Sequence, residues 1–276
     1  MIATDSMPPP PTIRCVVLDW AGTAVDFGCM APVEAFVATL AEAGLMIDAA
    51  SARGPMGLEK RAHLRALLDL PAIIAQWREQ TGAPPDEPLL DRLYARFRTV
   101  QLGVLPRHGA PIPGLVEAVA SLRAAGIAIG SNSGYDSAMM AVLAATAAAA
   151  GYAPDVVISS DDAAHGRPFP DMAWQAAMRL GAPCAARCVK VDDTTAGVAE
   201  GVNAGMWSIG VTDSGNEVGL PLADWQALDA AGRAGRRAAA AERLRAAGAH
   251  LVIDTVADLP EAVASLEHRL AAGERP

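Results

Sequence analysis

Five short stretches carry side chains whose types and spacing could do chemistry. The first, Cys15-Val16-Val17-Leu18-Asp19-Trp20-Ala21-Gly22-Thr23, is an apolar run ending in a carboxylate, with a glycine and a hydroxyl close behind. An Asp in that place is either a turn cap or a group presented to a ligand. Ser131-Asn132-Ser133-Gly134-Tyr135 and Gly166-Arg167-Pro168 follow two further apolar runs. Their hydroxyls, loop amides and forked guanidinium suit phosphate oxygens. Polar turn residues and a surface Arg are the bland alternatives. Asp192-Asp193-Thr194 ends a fourth run. If these acids meet Asp19, they repel one another unless a cation lies between them. Oxygen-rich sites with few protein ligands suit Mg²⁺.

The fifth stretch, Gly54-Pro55-Met56-Gly57-Leu58-Glu59-Lys60-Arg61-Ala62-His63, stands out by composition. Of the 22 Lys and Arg residues only Lys60 and Lys190 are lysines. Arg replaces Lys wherever a positive charge suffices, so a surviving Lys points to use as an amine. A guanidinium stays protonated and forms no imine. His63 lies three residues after Lys60, on the same helical face. An amine beside an imidazole suits imine formation and proton transfer; a solvated Lys with a chance His neighbour is the alternative. Lys190, inside a strand next to Asp192, reads as structural or as a charge partner of the acids.

These stretches can act together only if a sheet brings them to one edge. The run before Asp19 is apolar throughout, as in a strand buried on both faces. From Phe27 to about Gly103 the pattern is helical: Pro32 to Ala43, closed by Gly44, then Leu58 to Leu70, Ala72 to Gln80 and Leu89 to Val100. Strands and helices then alternate. Strands are expected at Ile127 to Gly130, Val156 to Ile158, Cys188 to Val191, Trp207 to Val211 and His250 to Ile253. Helices are expected at Leu115 to Ala125, Asp136 to Ala150, Met172 to Leu180, Val198 to Ala204, Leu222 to Ala247 and Leu259 to Ala271. Repeated β-α units imply an α/β fold, a doubly wound parallel-sheet (Rossmann-like) core with right-handed crossovers and an inserted all-helical cap domain. The expected division is a disordered N-terminal lead-in over 1–11, a core of 12–26 and 104–276, and a cap of 27–103. The active site belongs where the cap meets the carboxyl edge of the sheet.

The pattern D-x-x-G-T at a strand end, followed by S, R and D-D at three later strand ends, resembles the haloacid dehalogenase superfamily. The motifs D-W-A-G-T, M-G-L-x-K-x-x-H, S-x-S-G-Y, G-R-P, D-D-T and N-A-G-M-W, with Cys29 after the first, narrow the resemblance to the phosphonatase family, the phosphonoacetaldehyde hydrolases. It runs from about Ile13 to Leu266. That resemblance implies a hydrolase that cleaves the carbon–phosphorus bond of phosphonoacetaldehyde to acetaldehyde and phosphate. It implies a Schiff base on Lys60, a nucleophilic Asp19 that becomes an aspartyl-phosphate, and Mg²⁺ held by Asp19, the Ala21 carbonyl and Asp193. His63 would move protons. Ser131, Ser133, Arg167, Cys29, Met56 and Tyr135 would surround the substrate. Phosphatases of the superfamily carry an acid at the Ala21 position to protonate a leaving oxygen. A carbon–phosphorus bond has no such oxygen, and a protonated imine beta to phosphorus accepts the electrons instead. A phosphomonoesterase or phosphomutase, and a non-catalytic phosphate-binding module, are the competing readings. Two positions depart from the family: Asp192 stands where Gly is frequent, and Ala196-Gly197 where an acid is.

Composition sets the outer bounds. The net charge of −9 argues against nucleic-acid binding. Cys15, Cys29, Cys184 and Cys188 show no disulfide framework or metal-ligand spacing, which suits a cytoplasmic protein. No signal peptide and no membrane span is expected, and the Ala-rich run Ser137 to Ala150 is too short to be one. The expected partners are a small phosphonate and, through the cap domain, a second copy in a homodimer.

Overall fold

The computed structural model describes residues 12–276; the expected lead-in, Met1 to Pro11, lies outside the described residues. Six parallel strands form one sheet: β1 (Cys15–Leu18), β2 (Ala128–Asn132), β3 (Val156–Ile158), β4 (Cys188–Asp192), β5 (Trp207–Val211) and β6 (Leu251–Ile253). Their spatial order is β3-β2-β1-β4-β5-β6. The chain steps outward from β1 to β3, returns across β1 to β4, and continues the other way. That reversal opens a crevice between the carboxyl ends of β1 and β4, the natural ligand site of a doubly wound sheet. Leu18 pairs with Ser131 on one side and Val191 on the other, so Asp19 and Asp192 leave neighbouring strands at one level. Every residue of β1 and β4 is buried, because helices cover both faces.

Five helices are inserted between β1 and β2: α1 (Met30–Glu42), α2 (Ala49–Arg53), α3 (Lys60–Leu68), α4 (Pro71–Thr81) and α5 (Glu87–Val104). They form the helical cap. Phe36 of α1 stacks on Phe97 of α5, centroids 4.2 Å apart, and on the His63 ring at 4.0 Å. This aromatic stack fixes α3, and with it Lys60, against α1 and α5. The sheet is flanked by α6 (Leu115–Ala124), α7 (Ser137–Ala149), α8 (Asp171–Arg179), α9 (Thr195–Asn203), α10 (Leu222–Ala227), α11 (Ala230–Ala246) and α12 (Leu259–Ala271). Among the described residues no helix is long and apolar enough to cross a membrane. The four cysteines are free thiols.

The structure corrects three expectations. The single helix expected over Leu222 to Ala247 is two, because Leu228 and Asp229 are extended and the Asp229 carboxylate accepts the Gly232 N–H at 2.7 Å. A side-chain cap of that kind starts a new helix where the apolar pattern alone runs on. Helix α2 was not expected; five residues capped by Asp48 are too few to show a period. Helix α5 begins two residues earlier and ends four later than expected, with Asp86 capping the Leu89 N–H at 2.9 Å.

Candidate active site

The D-x-x-G-T stretch holds one acid and steers another. The Asp19 N–H donates to the Val191 carbonyl at 2.9 Å, tying the first residue beyond β1 to β4. The Trp20 carbonyl accepts N–H groups from Thr23, Ala24 and Val25, so the chain turns sharply. Gly22 sits at φ 90°, and a Cβ there would overlap the Asp193 carboxylate. Only glycine meets both demands. Thr23 Oγ1 donates to Asp193 Oδ1 at 2.8 Å, and the Asn216 N–H donates to Asp193 Oδ2 at 2.7 Å. The Ala21 carbonyl accepts no hydrogen bond among the described residues, because its neighbours use the Trp20 and Val25 carbonyls instead.

Asp19, Asp192 and Asp193 place carboxylate oxygens within 4.8 Å of one another, all buried. Arg167 joins them from the loop before α8. Its guanidinium reaches Asp19 Oδ1 at 2.7 Å, Asp192 Oδ2 at 3.3 Å, Glu200 Oε2 at 2.9 Å and Asn132 Oδ1 at 2.6 Å. Asn132 Nδ2 donates in turn to Glu200 Oε1 at 2.9 Å. Lys190 Nζ lies 2.7 Å from Asp192 Oδ2, as a charge partner of the acids. With all four ionised, the buried carboxylates Asp19, Asp192, Asp193 and Glu200 would exceed the two buried cations among them, Arg167 and Lys190, by two charges. Each carboxylate pair at this spacing repels by about 3 kcal/mol at an effective dielectric near 20.

The cost falls unevenly. Burial acts upward on Asp192, but Arg167 and Lys190 outweigh it and hold its pKa below the usual carboxylate range. Burial and the charges of Asp19 and Asp192 push Asp193 well above that range. Asp192 also accepts the Thr194 N–H and hydroxyl at 3.0 and 2.7 Å, so its oxygens are occupied. Asp193 and Asp19 keep open coordination. A divalent cation held between them and by the free Ala21 carbonyl would supply the missing charge and relieve Asp193. The donor set is all oxygen and fits Mg²⁺.

The departure at Ala196-Gly197 has a structural reason. A Cβ on Gly197 would overlap the Asp192 carboxylate, so Asp192 fills from β4 the space that a side chain on α9 would take. Gly201, one turn on, lets α9 approach until a Cβ would come within 2.7 Å of Lys190 Cβ.

From above, the cap brings an amine. Glu59 caps α3 by accepting the Arg61 and Ala62 N–H groups at 2.8 and 2.9 Å, which makes Lys60 the first helical residue and aims it at the sheet. Lys60 is 6% exposed, its Nζ 4.8 Å from the Tyr135 ring centroid. Burial lowers its pKa; Cys29 and Asp19 pull the other way, and Arg167 adds to the lowering. Gly57, at φ 92°, lets the loop before α3 press onto Thr194, where a Cβ would overlap the hydroxyl. Below it lies a cavity of about 20 Å³ lined by Asp19, Ala21, Cys29, Met56, Lys60, Ser133, Tyr135 and Arg167, among others. Ser133 Oγ accepts the Tyr135 N–H at 3.2 Å, leaving its own proton free to donate.

Two expected residues stand apart from this cavity. Ser131 lies inside β2, fully buried, and its hydroxyl donates to the Val156 carbonyl of β3 at 3.3 Å. The expectation set it against a substrate; the structure places it outside the lining of this cavity. His63 sits behind Lys60, fully buried, with no hydrogen bond to it. His63 Nε2 lies 2.9 Å from the Ala52 carbonyl, which can only accept, so Nε2 carries the proton and the partnerless Nδ1 is a bare acceptor. Burial and the Lys60 charge push His63 down to about 3, so the imidazole is neutral. Glu200, Asn132 and Asn216 were missed from the sequence. A Glu between Gly197 and Gly201 on a helix that must pack closely was the available signal for the first; nothing local marked the other two.

Comparison with known proteins fits this geometry. Residues 13–205 match the haloacid dehalogenase-like hydrolase family model. The phosphonoacetaldehyde hydrolase of Hahella chejuensis is 47% identical over 264 residues, 96% of this chain and 90% of the relative. That of Klebsiella pneumoniae is 48% identical over 266 residues, 96% and 99% of the two chains. A crystal structure of a phosphonoacetaldehyde hydrolase-like protein from Oleispira antarctica superposes with a TM-score of 0.95 at 42% identity, covering all of both chains.

Proposed function

Because the chain belongs to the phosphonoacetaldehyde hydrolase family of the haloacid dehalogenase-like hydrolases, we propose that it hydrolyses phosphonoacetaldehyde to acetaldehyde and phosphate. One observation carries this reading: a buried lysine with a lowered pKa shares a cavity with Asp19, and Ala21 stands where an acid would serve an ester. At its ordinary pKa near 10.4 a lysine is neutral in roughly one molecule in 2,500 at pH 7. Burial raises that fraction and supplies the nucleophile.

The reaction runs in four steps. Lys60 Nζ adds to the aldehyde carbon and water leaves, giving a protonated imine. Asp19 attacks phosphorus through the oxygen that Arg167 does not hold; the carbon–phosphorus bond breaks and its electrons move into the enamine. The enamine is protonated at carbon, and water hydrolyses the resulting imine to acetaldehyde and free Lys60. A second water cleaves the aspartyl-phosphate, releasing phosphate and Asp19. His63 packs behind Lys60 as a neutral imidazole and shapes its surroundings, while Arg167 and the Ser133 hydroxyl face the phosphoryl oxygens. Asp19, the Ala21 carbonyl and Asp193 would hold Mg²⁺, which would supply neutralisation of phosphoryl charge. Cys29, Met56 and Tyr135 close the pocket and exclude water.

A cavity of about 20 Å³ holds little more than one water, so the cap, residues 27–103, opens for substrate and closes for chemistry. An apolar groove of about 600 Å³ on α1, lined by Met30, Val33, Val37 and Ala38 with Pro221, supports a homodimer paired through the cap. The four free thiols support a cytoplasmic setting.

The test is phosphate release from phosphonoacetaldehyde with Mg²⁺, beside a simple phosphate monoester. Release from the phosphonate alone, lost with EDTA, is expected, and borohydride should then trap substrate carbon on Lys60. Release from the ester alone would overturn the reading.

A further inference from the structure

We infer that Arg53 and Asn216 form a latch through which the position of the cap sets the geometry of Asp193; both are positioning residues. Arg53 closes α2, and its guanidinium gathers neutral acceptors from separate segments. Nη1 donates to the Gly28 carbonyl at 2.7 Å, the Cys29 carbonyl at 3.3 Å and Asn216 Oδ1 at 3.3 Å, while Nη2 lies 3.0 Å from Met30 Sδ. Asn216 answers by donating Nδ2 to the Arg53 carbonyl at 3.4 Å. The loop bearing Asn216 wraps the guanidinium closely: a Cβ on Gly219 would stand 2.8 Å from Arg53 Nε.

The same Asn216 gives its backbone N–H to Asp193 Oδ2, one of only two donors that Asp193 has among the described residues; the other is Thr23 Oγ1. Its loop is also pinned to the chain entering the cap. Ser214 Oγ donates to the Gly22 carbonyl at 2.7 Å, and the Gly28 N–H donates to the Ser214 carbonyl at 2.7 Å. One guanidinium therefore joins the start of the cap, helix α2 and the loop after β5. When α2 leaves the loop, Asn216 loses its side-chain partner and the amide that aims Asp193 loosens. When α2 returns, Asp193 is set. Such coupling is reciprocal: whatever fixes Asp193 favours the seated cap. The inference rests on the proposed function only in giving Asp193 its task; the latch is a property of the fold.

Hydrogen exchange with the full-length protein tests it without turnover. Arg53→Met should speed exchange of amides 212–219 about tenfold, and Asn216→Ala should do the same for residues 49–54, with α12 unchanged in both. The double variant should exceed neither single one by much. Mg²⁺ affinity by calorimetry should fall about tenfold in either variant. If Arg53→Met fails to fold, Arg53→Lys, which keeps the charge but not the forked donors, should give the same pattern at smaller size. Loosening confined to the substituted segment, effects that add, or unchanged Mg²⁺ affinity would overturn the latch. If phosphonate cleavage itself fails while the exchange pattern holds, the functional reading is wrong and the latch stands.

Discussion

Installing an acid at Gly197 tests whether Asp192 occupies the space that an acidic side chain on α9 would take. In Gly197→Asp the new Cβ overlaps the Asp192 carboxylate, which cannot retreat because Lys190, Arg167 and the Thr194 hydroxyl hold it at 2.7, 3.3 and 2.7 Å. Overpacking costs about 1–3 kcal/mol. A second buried carboxylate about 4 Å from the first adds about 4 kcal/mol at an effective dielectric of 20. The expected loss is about 5–7 kcal/mol, a large part of the roughly 5–15 kcal/mol that holds a domain folded. For a chain of this size the melting temperature should drop by about 10 °C or more. Protonating one carboxylate of the pair relieves the repulsion, so its folded pKa is raised; stability is present at low pH and lost as pH rises through that value. Asp192→Gly alone removes the 2.7 Å partner of Lys190 and leaves Glu200, 3.7 Å away, as its remaining carboxylate, which costs about 1–3 kcal/mol. The double variant Asp192→Gly/Gly197→Asp restores one carboxylate to the cluster and should recover most of both losses. Thermal and urea unfolding of all four proteins, with Mg²⁺ affinity beside them, measure this. Gly197→Asp as stable as the parent, or a double variant no better than the worse single one, would refute the reasoning.

Lys60→Arg keeps the charge but cannot form an imine; turnover should disappear and borohydride labelling with it, while the circular dichroism spectrum stays unchanged. Retention of most activity would remove the imine from the mechanism. Ala21→Asp should not improve phosphonate cleavage, because no leaving oxygen awaits a proton; a faster enzyme would contradict the reading of Ala21. His108 Nδ1 meets Asp26 Oδ1 at 2.9 Å where the chain enters and leaves the cap, and that hydrogen bond raises its pKa against the opposing effect of burial. A raised histidine stabilises below its unfolded pKa, near 6.5, and loses that contribution as pH rises through the folded value. The stability advantage over His108→Gln should therefore be present at pH 5.5 and gone at pH 9; a difference in urea denaturation that stays the same across that range would mean that the pair does not matter.

Much of this molecule is legible one segment at a time. Asp19, Ser133, Arg167 and Asp193 each follow an apolar run, and in a parallel sheet every such run ends at the same edge, so their convergence follows from order along the chain. The scarcity of lysine marked Lys60 without any knowledge of its neighbours. What stayed hidden depends on contacts between residues far apart. Ser131 and Ser133 look equivalent until the fold sends one hydroxyl to Val156 and leaves the other on the cavity. Asp229 reads as an interior residue of a long helix until its carboxylate is seen to cap α11. Glu200, Asn132 and Asn216 matter through Arg167 and Asp193, partners that no local pattern announces: Asn132 and Glu200 meet Arg167 across 35 and 33 positions, Asn216 meets Asp193 across 23. The sequence by itself determined the strand-end chemistry and the buried faces, because those are short-range properties of hydrophobicity and chain geometry. Only the tertiary structure decided which acid stays open to a cation, which is tied up by Lys190, and how a cap helix reaches the amide that aims Asp193, because those are balances of charge and space among atoms that the fold alone brings together.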